Sequence, residues 1–321
     1  MNVLLTGSSG WLGACLSPML KSAGHTPIGL DIVPGPTTNV VGSIADEDHV
    51  AAVFRDARIE AVIHAGALHK PDIRRSSTQD FIDSNVSGTL NLLAAAAAHG
   101  VDRFVMTSTT SLMVTAAVRD ETGSSAIWMD ESFGPLAPRN IYGVSKLAAE
   151  GLCRLYHREA GLNSIVLRTS RFFPESDDSI TDIDGENLKA NEFLHRRLTR
   201  EDAARAHLFA LEVAADLGHE IFVVSAPTPF VREDCADLKR DAAAVIQRLF
   251  PDAADLYRAR GWVLPSTIGR VYDGRKFSQA TGFEYQTSFG SILDALRGDG
   301  ELPFTHDPAW APVRPTEAVR A

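Results

Sequence analysis

The stretch that decides the fold is Asn2-Val3-Leu4-Leu5-Thr6-Gly7-Ser8-Ser9-Gly10-Trp11-Leu12-Gly13. A short apolar run predicts a buried strand, which passes directly into a glycine turn and then a helix. Gly7 permits the tight turn, and Gly10 lets backbone N–H groups approach a pyrophosphate at the helix N-terminus. Gly13 lets the helix lie close to the strand. The stretch predicts a dinucleotide site, and its other predicted contact residues are Ser9, Trp11 and Leu12.

The second predicted strand, Pro27 to Asp31, ends on an acid about twenty residues after the glycines. A carboxylate there can accept both ribose hydroxyls of NAD, whereas it would repel the 2′-phosphate of NADP. No arginine closely follows Asp31. NAD is therefore the predicted cofactor, although an aspartate at a strand end can also serve only as a turn former.

Further small or apolar residues follow the next strands. Gly42 to Asp46 forms a turn before a helix, and Ala61 to Ala67 is a strand that leads into small residues, where a flat cofactor can lie against backbone. His64 is interpreted as a packed residue at a strand end rather than a catalyst. The remaining positions predicted to contact the cofactor are Ser43, Ile44, Ala65, Gly66, Ala67, Asn85 and Thr107.

Five consecutive hydroxyl residues, Thr107 to Ser111, follow the predicted strand Val101 to Met106. Open α/β sheets hold their ligands at the carboxyl ends of the strands, so this run indicates a binding edge. A polar loop that caps a helix is the alternative interpretation.

Tyr142 and Lys146 lie four residues apart in Tyr142-Gly143-Val144-Ser145-Lys146, within a run rich in Ala, Leu and Glu that predicts a helix. Positions i and i+4 share one face of a helix, so the phenol and the ammonium can meet in one small space. A fixed positive charge there favours the phenolate and would make Tyr142 an acid/base near neutral pH. The pair alone also occurs on many solvated helix faces.

Strand and helix patterns alternate through residue 225, which predicts an α/β fold: a Rossmann-type, doubly wound parallel sheet. The predicted NAD-binding domain comprises residues 1–171 and 198–226. A smaller C-terminal substrate-binding lobe comprises residues 172–197 and 227–299, and residues 300–321, rich in proline, are expected to form a loose tail.

The composition excludes several classes of protein. The chain has 321 residues, 45% hydrophobic, and a net charge of −10, which argues against nucleic acid as a partner. Its three cysteines, Cys15, Cys153 and Cys235, are far apart and fit neither a disulfide framework nor a metal site. No apolar run approaches the ~18 residues of a membrane span. The expectation is a metal-free, cytoplasmic enzyme with no membrane partner.

Taken in order, these motifs resemble the extended short-chain dehydrogenase/reductase family, in its NAD-dependent epimerase/dehydratase group, over about residues 1–225. The resemblance implies that Tyr142 is the general acid/base and that Lys146 lowers its pKa and holds the nicotinamide ribose. Thr109 takes the position of the catalytic Ser/Thr that bonds the reacting hydroxyl, with Ser108 as the alternative register. The family also implies a homodimer formed through the helices that begin at Phe81 and Tyr142.

The chain departs from the family at two places. Dehydratases carry Asp-Glu where this chain has Thr110 and Ser111, which disfavours elimination of water. The segment after Pro174 lacks the Gly-rich stretch that contacts the nucleotide in sugar-nucleotide enzymes, and residues 167–174 resemble uronate dehydrogenases. Candidate substrate residues are Thr110, Ser111, Arg171, Asn191, His195, Arg197 and Arg270.

The predicted chemistry is hydride transfer at a secondary alcohol of a sugar or sugar nucleotide, with an epimerase favoured. The alternative is an NAD-dependent dehydrogenase or reductase of a free sugar, sugar acid or polyol, and sequence alone cannot separate the two. A non-catalytic dinucleotide sensor is the third hypothesis, which the presence of both Tyr142 and Lys146 disfavours.

Overall fold

Seven parallel strands form the central sheet of the protein. The computed structural model describes residues 1–173, 183 and 185–305. The strands of the sheet are β1 Asn2–Thr6, β2 Thr26–Asp31, β3 Val40–Val41, β4 Ala61–His64, β5 Arg103–Thr109, β7 Asn163–Thr169 and β8 His219–Val224, while β6 Ile127–Met129 lies outside it. They lie in the order β3-β2-β1-β4-β5-β7-β8, with every neighbouring pair parallel. The predicted parallel sheet is confirmed, and the late strand near residue 220 rejoins it at the edge.

Helices cover both faces of this sheet. They are α1 Trp11–Ser22, α2 Glu47–Ala57, α3 Thr78–Phe81, α4 Gly88–Ala98, α5 Ala116–Asp120, α6 Ile141–Ala160, α7 Gly185–Glu192 and α8 Arg200–Leu217. One apolar cluster joins α1 and α8 to the sheet, and a second joins α2, α4 and α6 to its other face. Because both faces are covered, the inner strands are apolar along most of their length and β4 is buried at every residue.

The crossover at β1 positions the functional edge. The chain builds outward from β1 to β2 and β3, then returns to β4 on the other side of β1. Strand order reverses between β1 and β4, so the loops after their carboxyl ends diverge and leave a crevice there. The glycine turn after Thr6 and the small-residue loop after His64 border this crevice.

The C-terminal part adds a second, smaller sheet that the sequence patterns did not predict. A separate two-stranded parallel sheet pairs β6 with β9 Arg270–Tyr272. Four helices complete this part: α9 Cys235–Leu249, α10 Ala253–Ala259, α11 Arg275–Thr281 and α12 Phe289–Arg297. The ring of Phe277 packs against that of Phe222 on β8, so this lobe and the central sheet share one core.

The tail expected from residue 300 is packed at its start, contrary to that expectation. Leu302 is 5% exposed, and the ring of Phe304 stacks on Phe193 with centroids 5.8 Å apart. Apolar side chains hold this segment, although the prolines around it suggested otherwise. Residues 306–321 lie outside the described part of the chain.

Candidate active site

The glycine turn after β1 forms a cradle in which side chains would collide with backbone. Gly7 has φ +68°, in the left-handed region that favours glycine. A Cβ on Gly13 would lie 2.2 Å from the carbonyl oxygen of Gly7. Within the described residues no side chain caps the N-terminus of α1, whose residues Trp11 and Leu12 are buried. Backbone N–H groups at this end of α1 are therefore available to the pyrophosphate of a dinucleotide.

Asp31 ends β2 beside this cradle. Its Oδ2 accepts the backbone N–H of Ser9 at 2.9 Å, and its Oδ1 accepts that of Val33 at 3.1 Å. Burial raises the pKa of the Asp31 carboxyl, while these backbone N–H groups oppose the rise. If Ser9 and its neighbours hold the pyrophosphate of NAD, the ribose attached to that pyrophosphate would lie next to Asp31.

The small-residue loop after β4 packs directly on the glycine turn. A Cβ on Gly7 would lie 2.7 Å from the backbone nitrogen of Gly66, so the two loops touch backbone to backbone. Ala65, Gly66 and Ala67 are each partly exposed along the crevice. The close approach leaves room for a flat ring system against main chain, and the residues present fit a dinucleotide.

Of two other predicted cofactor positions, Ile44 packs toward α4 and Ser43 is exposed in the turn before α2. Ile44 is buried against Gly88, where an added Cβ would lie 2.6 Å from its side chain. Ser43 accepts the N–H of Ala45 at 3.1 Å and shapes the turn before α2. Ile44 is 9% exposed, so little of its side chain is available to a ligand.

Asn85 lies in a π-helical segment, Ile82–Ser87, that interrupts the predicted continuous helix between α3 and α4. Its Oδ1 accepts the N–H of Leu68 at 2.8 Å, and its Nδ2 donates to the carbonyl of Leu68 at 3.0 Å. Such π-bulges are often found at functional sites. Here the bulge turns the Asn85 amide toward the small-residue loop rather than toward the ligand space.

Helix α6 carries Tyr142 and Lys146 into the site. It begins where the Asn140 side chain accepts the N–H of Gly143 at 3.0 Å. Tyr142 is 7% and Lys146 2% exposed, so both side chains lie inside the protein rather than on a solvated helix face. The interpretation of the four-residue spacing as a solvated pair is thereby excluded.

Strand β5 places two neighbouring hydroxyls on opposite sides. The side chains of Thr109 and Tyr142 are hydrogen-bonded. Ser108 instead donates to Glu150 Oε1 at 2.6 Å, deep inside the protein. Successive residues of a strand point to opposite faces, which makes Thr109 the hydroxyl that can share a substrate oxygen with Tyr142.

The protonation of the pair differs from the sequence-based expectation. Burial raises the pKa of Tyr142 to about 12, opposed by its hydrogen bond to Thr109. Burial also lowers the pKa of Lys146 to about 8. In the protein alone Tyr142 thus keeps its proton at neutral pH, contrary to the expected phenolate, because the same dry environment disfavours both the phenolate and the ammonium charge.

The lowered pKa of Lys146 predicts a pH-dependent stability. Between about pH 8 and 10.5 the unfolded chain holds this proton and the folded chain does not, so stability rises with pH. The fall in pKa from 10.5 to about 8 corresponds to about 3 kcal/mol. We expect the free energy of unfolding of Lys146→Met, relative to that of wild type, to be higher at pH 7.5 than at pH 10. Urea unfolding at the two pH values measures this difference.

The control for this measurement is Lys21→Met, which removes an exposed lysine. Its stability difference from wild type is expected to stay constant over the same pH range. A constant difference for Lys146→Met as well would show that the Lys146 ammonium is not desolvated.

The remaining residues of the hydroxyl run are partly committed to other bonds. Thr107 Oγ1 lies 2.7 Å from His207 Nε2, and Thr110 Oγ1 donates to the carbonyl of Thr169 at 3.4 Å. Thr110 is 5% exposed, and its hydroxyl hydrogen is directed at the Thr169 carbonyl rather than at a substrate. Ser111, whose N–H donates to Thr109 Oγ1, remains partly exposed.

Three arginines surround Glu192, a buried residue at the end of α7. Arg197 Nη1 lies 2.6 Å, Arg196 Nη2 3.0 Å and Arg171 Nε 3.8 Å from its carboxylate oxygens. Arg171 and Arg197 are also paired through backbone in an isolated bridge. Two of the predicted substrate residues, Arg171 and Arg197, are thus brought together around an acid that the sequence patterns did not indicate.

The other predicted substrate residues take part in contacts that join segments. His195 Nδ1 donates to the carbonyl of Arg270 at 2.8 Å, and Arg270 Nη1 pairs with Glu121 at 3.0 Å. Burial lowers the pKa of His195 well below its ordinary value, so the ring is neutral. Asn191 Nδ2 donates to the carbonyl of Val263 at 3.1 Å. These contacts hold the lobe together, and none of them connects Asn191, His195 or Arg270 to Tyr142.

His69 is a site residue that the sequence analysis missed. Its ring meets that of Tyr142 edge to face with centroids 5.9 Å apart, and that of Phe173 at 5.4 Å. Burial and the nearby Lys146 lower the pKa of His69 to about 4, opposed by Asp72. Because the carbonyl of Phe173 accepts from Arg197, His69 connects the Tyr142 side of the site with the arginine cluster. Only its position shortly after the β4 strand could have indicated it.

The described residues offer neither a metal site nor a membrane-spanning helix. No group of three or more His, Cys, Asp or Glu side chains there could hold a metal ion. None of the described helices combines the length and the apolar character that a membrane crossing needs.

Comparison with known proteins agrees with this geometry. Residues 3–225 match the NAD dependent epimerase/dehydratase family. The chain is 32% identical over 175 residues to a UDP-glucose 4-epimerase of Azospirillum brasilense, covering 52% of this chain and 47% of that protein. It is 28% identical over 278 residues to a dTDP-glucose 4,6-dehydratase of Streptomyces antibioticus, covering 76% and 78%. The chain spans about half the length of the first epimerases that it matches.

Among solved structures, the fold is similar to that of the Thermus thermophilus UDP-glucose 4-epimerase in complex with NAD. The TM-score is 0.62 at 20% identity, with 93% of this chain and 99% of that chain covered. The family match over residues 3–225 includes the glycine cradle, Asp31 and the Tyr142–Lys146 helix. The chain belongs to the NAD-dependent epimerase/dehydratase family, within the extended short-chain dehydrogenases/reductases.

Proposed function

We propose that the protein is an NAD-dependent epimerase that inverts a secondary alcohol of a nucleoside-diphosphate sugar. The observation that carries this proposal is the buried set of Thr109, Tyr142 and Lys146 at the same sheet edge as the glycine cradle. The relatives named UDP-glucose 4-epimerase support the choice of reaction and of substrate class.

Each residue of the set has a distinct task in this proposal. Thr109 and Tyr142 hold the substrate oxygen between their hydroxyls, and Tyr142 exchanges the proton with it. NAD, when bound, accepts and returns the hydride, and its oxidised ring adds a positive charge that favours the phenolate. Lys146 lies one helical turn further along α6, where it can hold the ribose hydroxyls next to that ring.

The surroundings of Thr109, Tyr142 and Lys146 keep water away from the proton that passes between the substrate and Tyr142. Tyr142 and Lys146 are almost fully buried, and the rings of His69 and Phe173 close the side toward the arginine cluster. Water exclusion strengthens each hydrogen bond to the substrate oxygen and protects a keto intermediate. Thr110 and Ser111 supply no carboxylate, so this arrangement supports hydride transfer and not elimination of water.

A second candidate function is oxidation of a free sugar acid. The observation that favours it is the cluster of Arg171, Arg196 and Arg197 around Glu192, joined to Tyr142 through Phe173 and His69. Guanidinium groups match carboxylates in geometry and charge. In this case the same Tyr142 and Thr109 would act, but NAD would leave as NADH after each turnover.

The experiment that separates these functions begins with protein purified without added cofactor. We expect denaturation to release NAD, and the native protein to interconvert UDP-glucose and UDP-galactose with no net change in NADH absorbance. Accumulation of NADH with a uronic acid, and no interconversion, would replace the epimerase by the dehydrogenase. Retained NAD with turnover of neither substrate class would contradict both.

A homodimer is part of this proposal. Leu90 on α4 and Val144 on α6 are 40% and 46% exposed, and these two helices pack side by side. Paired with the same helices of a second copy, they would bury this apolar surface. The three cysteines, all free thiols, agree with a reducing cytoplasm as the proposed location.

A further inference from the structure

A chain of buried hydrogen bonds begins at the small-residue loop. The N–H of Gly66 donates to Thr6 Oγ1 at 3.0 Å, and Thr6 Oγ1 lies 2.8 Å from His64 Nδ1. On the other side of the ring, His64 Nε2 lies 3.0 Å from Thr89 Oγ1. Thr89 in turn donates its hydroxyl hydrogen to the carbonyl of Asn85 at 2.7 Å.

The chain continues through Asn85 to the catalytic helix. Asn85 Nδ2 donates to Ser145 Oγ at 3.0 Å, and Ser145 Oγ donates to the carbonyl of Tyr142 at 3.0 Å. The same amide holds both backbone groups of Leu68. We call the side chains Thr6, His64, Thr89, Asn85 and Ser145 the Thr6–Ser145 network.

The donor and the acceptor of each of these hydrogen bonds are determined. Since Thr89 uses its only hydrogen on the Asn85 carbonyl, it must accept the Nε2–H of His64. The other ring nitrogen is then an acceptor, and Thr6 donates to it. His64 is neutral, because burial and the charge of Lys146 lower its pKa to about 3. The ring therefore has one tautomer, fixed by its neighbours on both sides.

The network connects the glycine turn and the small-residue loop to the helix that carries Tyr142. Thr6 is the last residue of β1 before Gly7, and Gly66 lies against Gly7. His64 ends β4, and Ser145 lies between Tyr142 and Lys146 on α6. The network thus connects β1 to α6 through side chains buried behind the crevice.

No side chain of the network reaches the crevice. Thr6, Thr89, Asn85 and Ser145 are 0% exposed and His64 is 1% exposed. A ligand therefore cannot contact any of them, and any effect on a ligand must pass through the backbone that they hold. Breaking one bond leaves buried polar atoms unsatisfied, which is costly in a dry interior.

We propose that the Thr6–Ser145 network is a positioning device that holds the glycine cradle and the small-residue loop in register with Tyr142, and that His64 is the positioning residue at its centre. From the sequence, His64 is expected to be a packed residue at a strand end. The structure assigns it a task instead: its two nitrogens join the end of β1 to α4, and through Asn85 to α6.

The test is a double-mutant cycle on NAD affinity, using Thr6→Val and Ser145→Ala in the full chain freed of cofactor. Each single substitution removes the two hydrogen bonds of one hydroxyl at one end of the network and is expected to weaken NAD binding roughly 5–10-fold. Because both act on one connected unit, we expect the double variant to bind about as weakly as the weaker single variant. Fold losses that multiply, or no loss in Ser145→Ala, would overturn the proposal.

Two further variants keep the test decisive. Thr6→Ser retains the hydroxyl and is expected to bind NAD as wild type does; if Thr6→Val does not fold, Thr89→Val replaces it in the cycle. The control is Ser164→Ala, a 0% exposed serine on β7 bonded to the Cys153 carbonyl and His219. It is expected to lower the unfolding temperature and leave NAD affinity unchanged, and an equal loss of affinity there would also overturn the proposal.

This inference rests on the NAD site of the proposed function but not on the choice of substrate. Coupled losses of NAD affinity in a protein that turns over no sugar nucleotide would support the network and contradict the epimerase. Interconversion of sugar nucleotides with independent effects of the two substitutions would support the epimerase and contradict the network.

Discussion

Tyr142→Phe is expected to lower kcat by about 10²–10⁴-fold while the affinity for NAD stays close to that of wild type. The substitution removes the hydroxyl that is hydrogen-bonded to Thr109 and leaves the ring that packs against His69. The substrate oxygen then has no group that takes or returns its proton. Steady-state kinetics on the substrate identified by the interconversion assay, with NAD titration in parallel, measures both quantities.

The matched control is Tyr156→Phe on the same helix. Tyr156 lies 14 residues after Tyr142, or about 21 Å along α6 at 1.5 Å per residue, and packs on the sheet away from the crevice. We expect its kcat to be that of wild type. An unchanged kcat in Tyr142→Phe would refute the assignment of Tyr142 as the acid/base.

Arg168→Met is expected to lower the free energy of unfolding by about 3–5 kcal/mol. Arg168 Nη2 lies 2.7 Å from Glu150 Oε2, and these side chains are 5% and 1% exposed. Removing the guanidinium leaves the Glu150 carboxylate buried, with the Ser108 hydroxyl as its remaining side-chain donor among the described residues. Urea unfolding at pH 7 measures the loss.

A second substitution distinguishes the loss of the pair from the loss of packing. In Arg168→Met with Glu150→Leu neither charge of the pair remains buried, so most of the lost stability is expected to return. The exposed pair of Arg158 and Glu159 is the control, and Arg158→Met is expected to change little. A double variant no more stable than Arg168→Met would show that side-chain packing, and not the unpaired charge, dominates.

The pair also bears on the active site. Glu150 follows Lys146 by one helical turn, and Ser108 precedes Thr109 on β5. The salt bridge therefore ties α6 to β7, and the hydrogen bond from Ser108 ties α6 to β5, next to the groups that would hold the substrate. The pairing of Arg168 with Glu150 was not predictable from the sequence, since Glu150 has the local pattern of an ordinary helix residue.

The pKa of Tyr142 and the packing of Leu302 and Phe304 differ from expectation for one physical reason, which is burial by residues distant in the sequence. The spacing of Tyr142 and Lys146 predicted that they share a helix face, which the structure shows, but not that the face is dry. Desolvation raised the pKa of Tyr142, where a lowered pKa was expected. In the same way, Leu302 and Phe304 looked like part of a loose tail because the apolar partner Phe193 lies more than a hundred residues earlier.

The sequence by itself determined the features that depend on neighbouring residues. The strand, glycine turn and helix at the N-terminus, the alternation of strands and helices, the acid at the end of β2 and the helix that carries Tyr142 all follow from local periodicity and spacing. Together these were enough to predict the parallel sheet, the edge where ligands bind and the cofactor.

Only the tertiary structure decided which distant side chains meet and which of them are shielded from water. It paired β6 with β9, placed His69 beside Tyr142, gathered three arginines around Glu192 and joined Thr6 to Ser145 through a neutral His64. Hydrogen bonds and charges across the core depend on burial and on contacts between residues far apart in the chain. No local spacing contains that information.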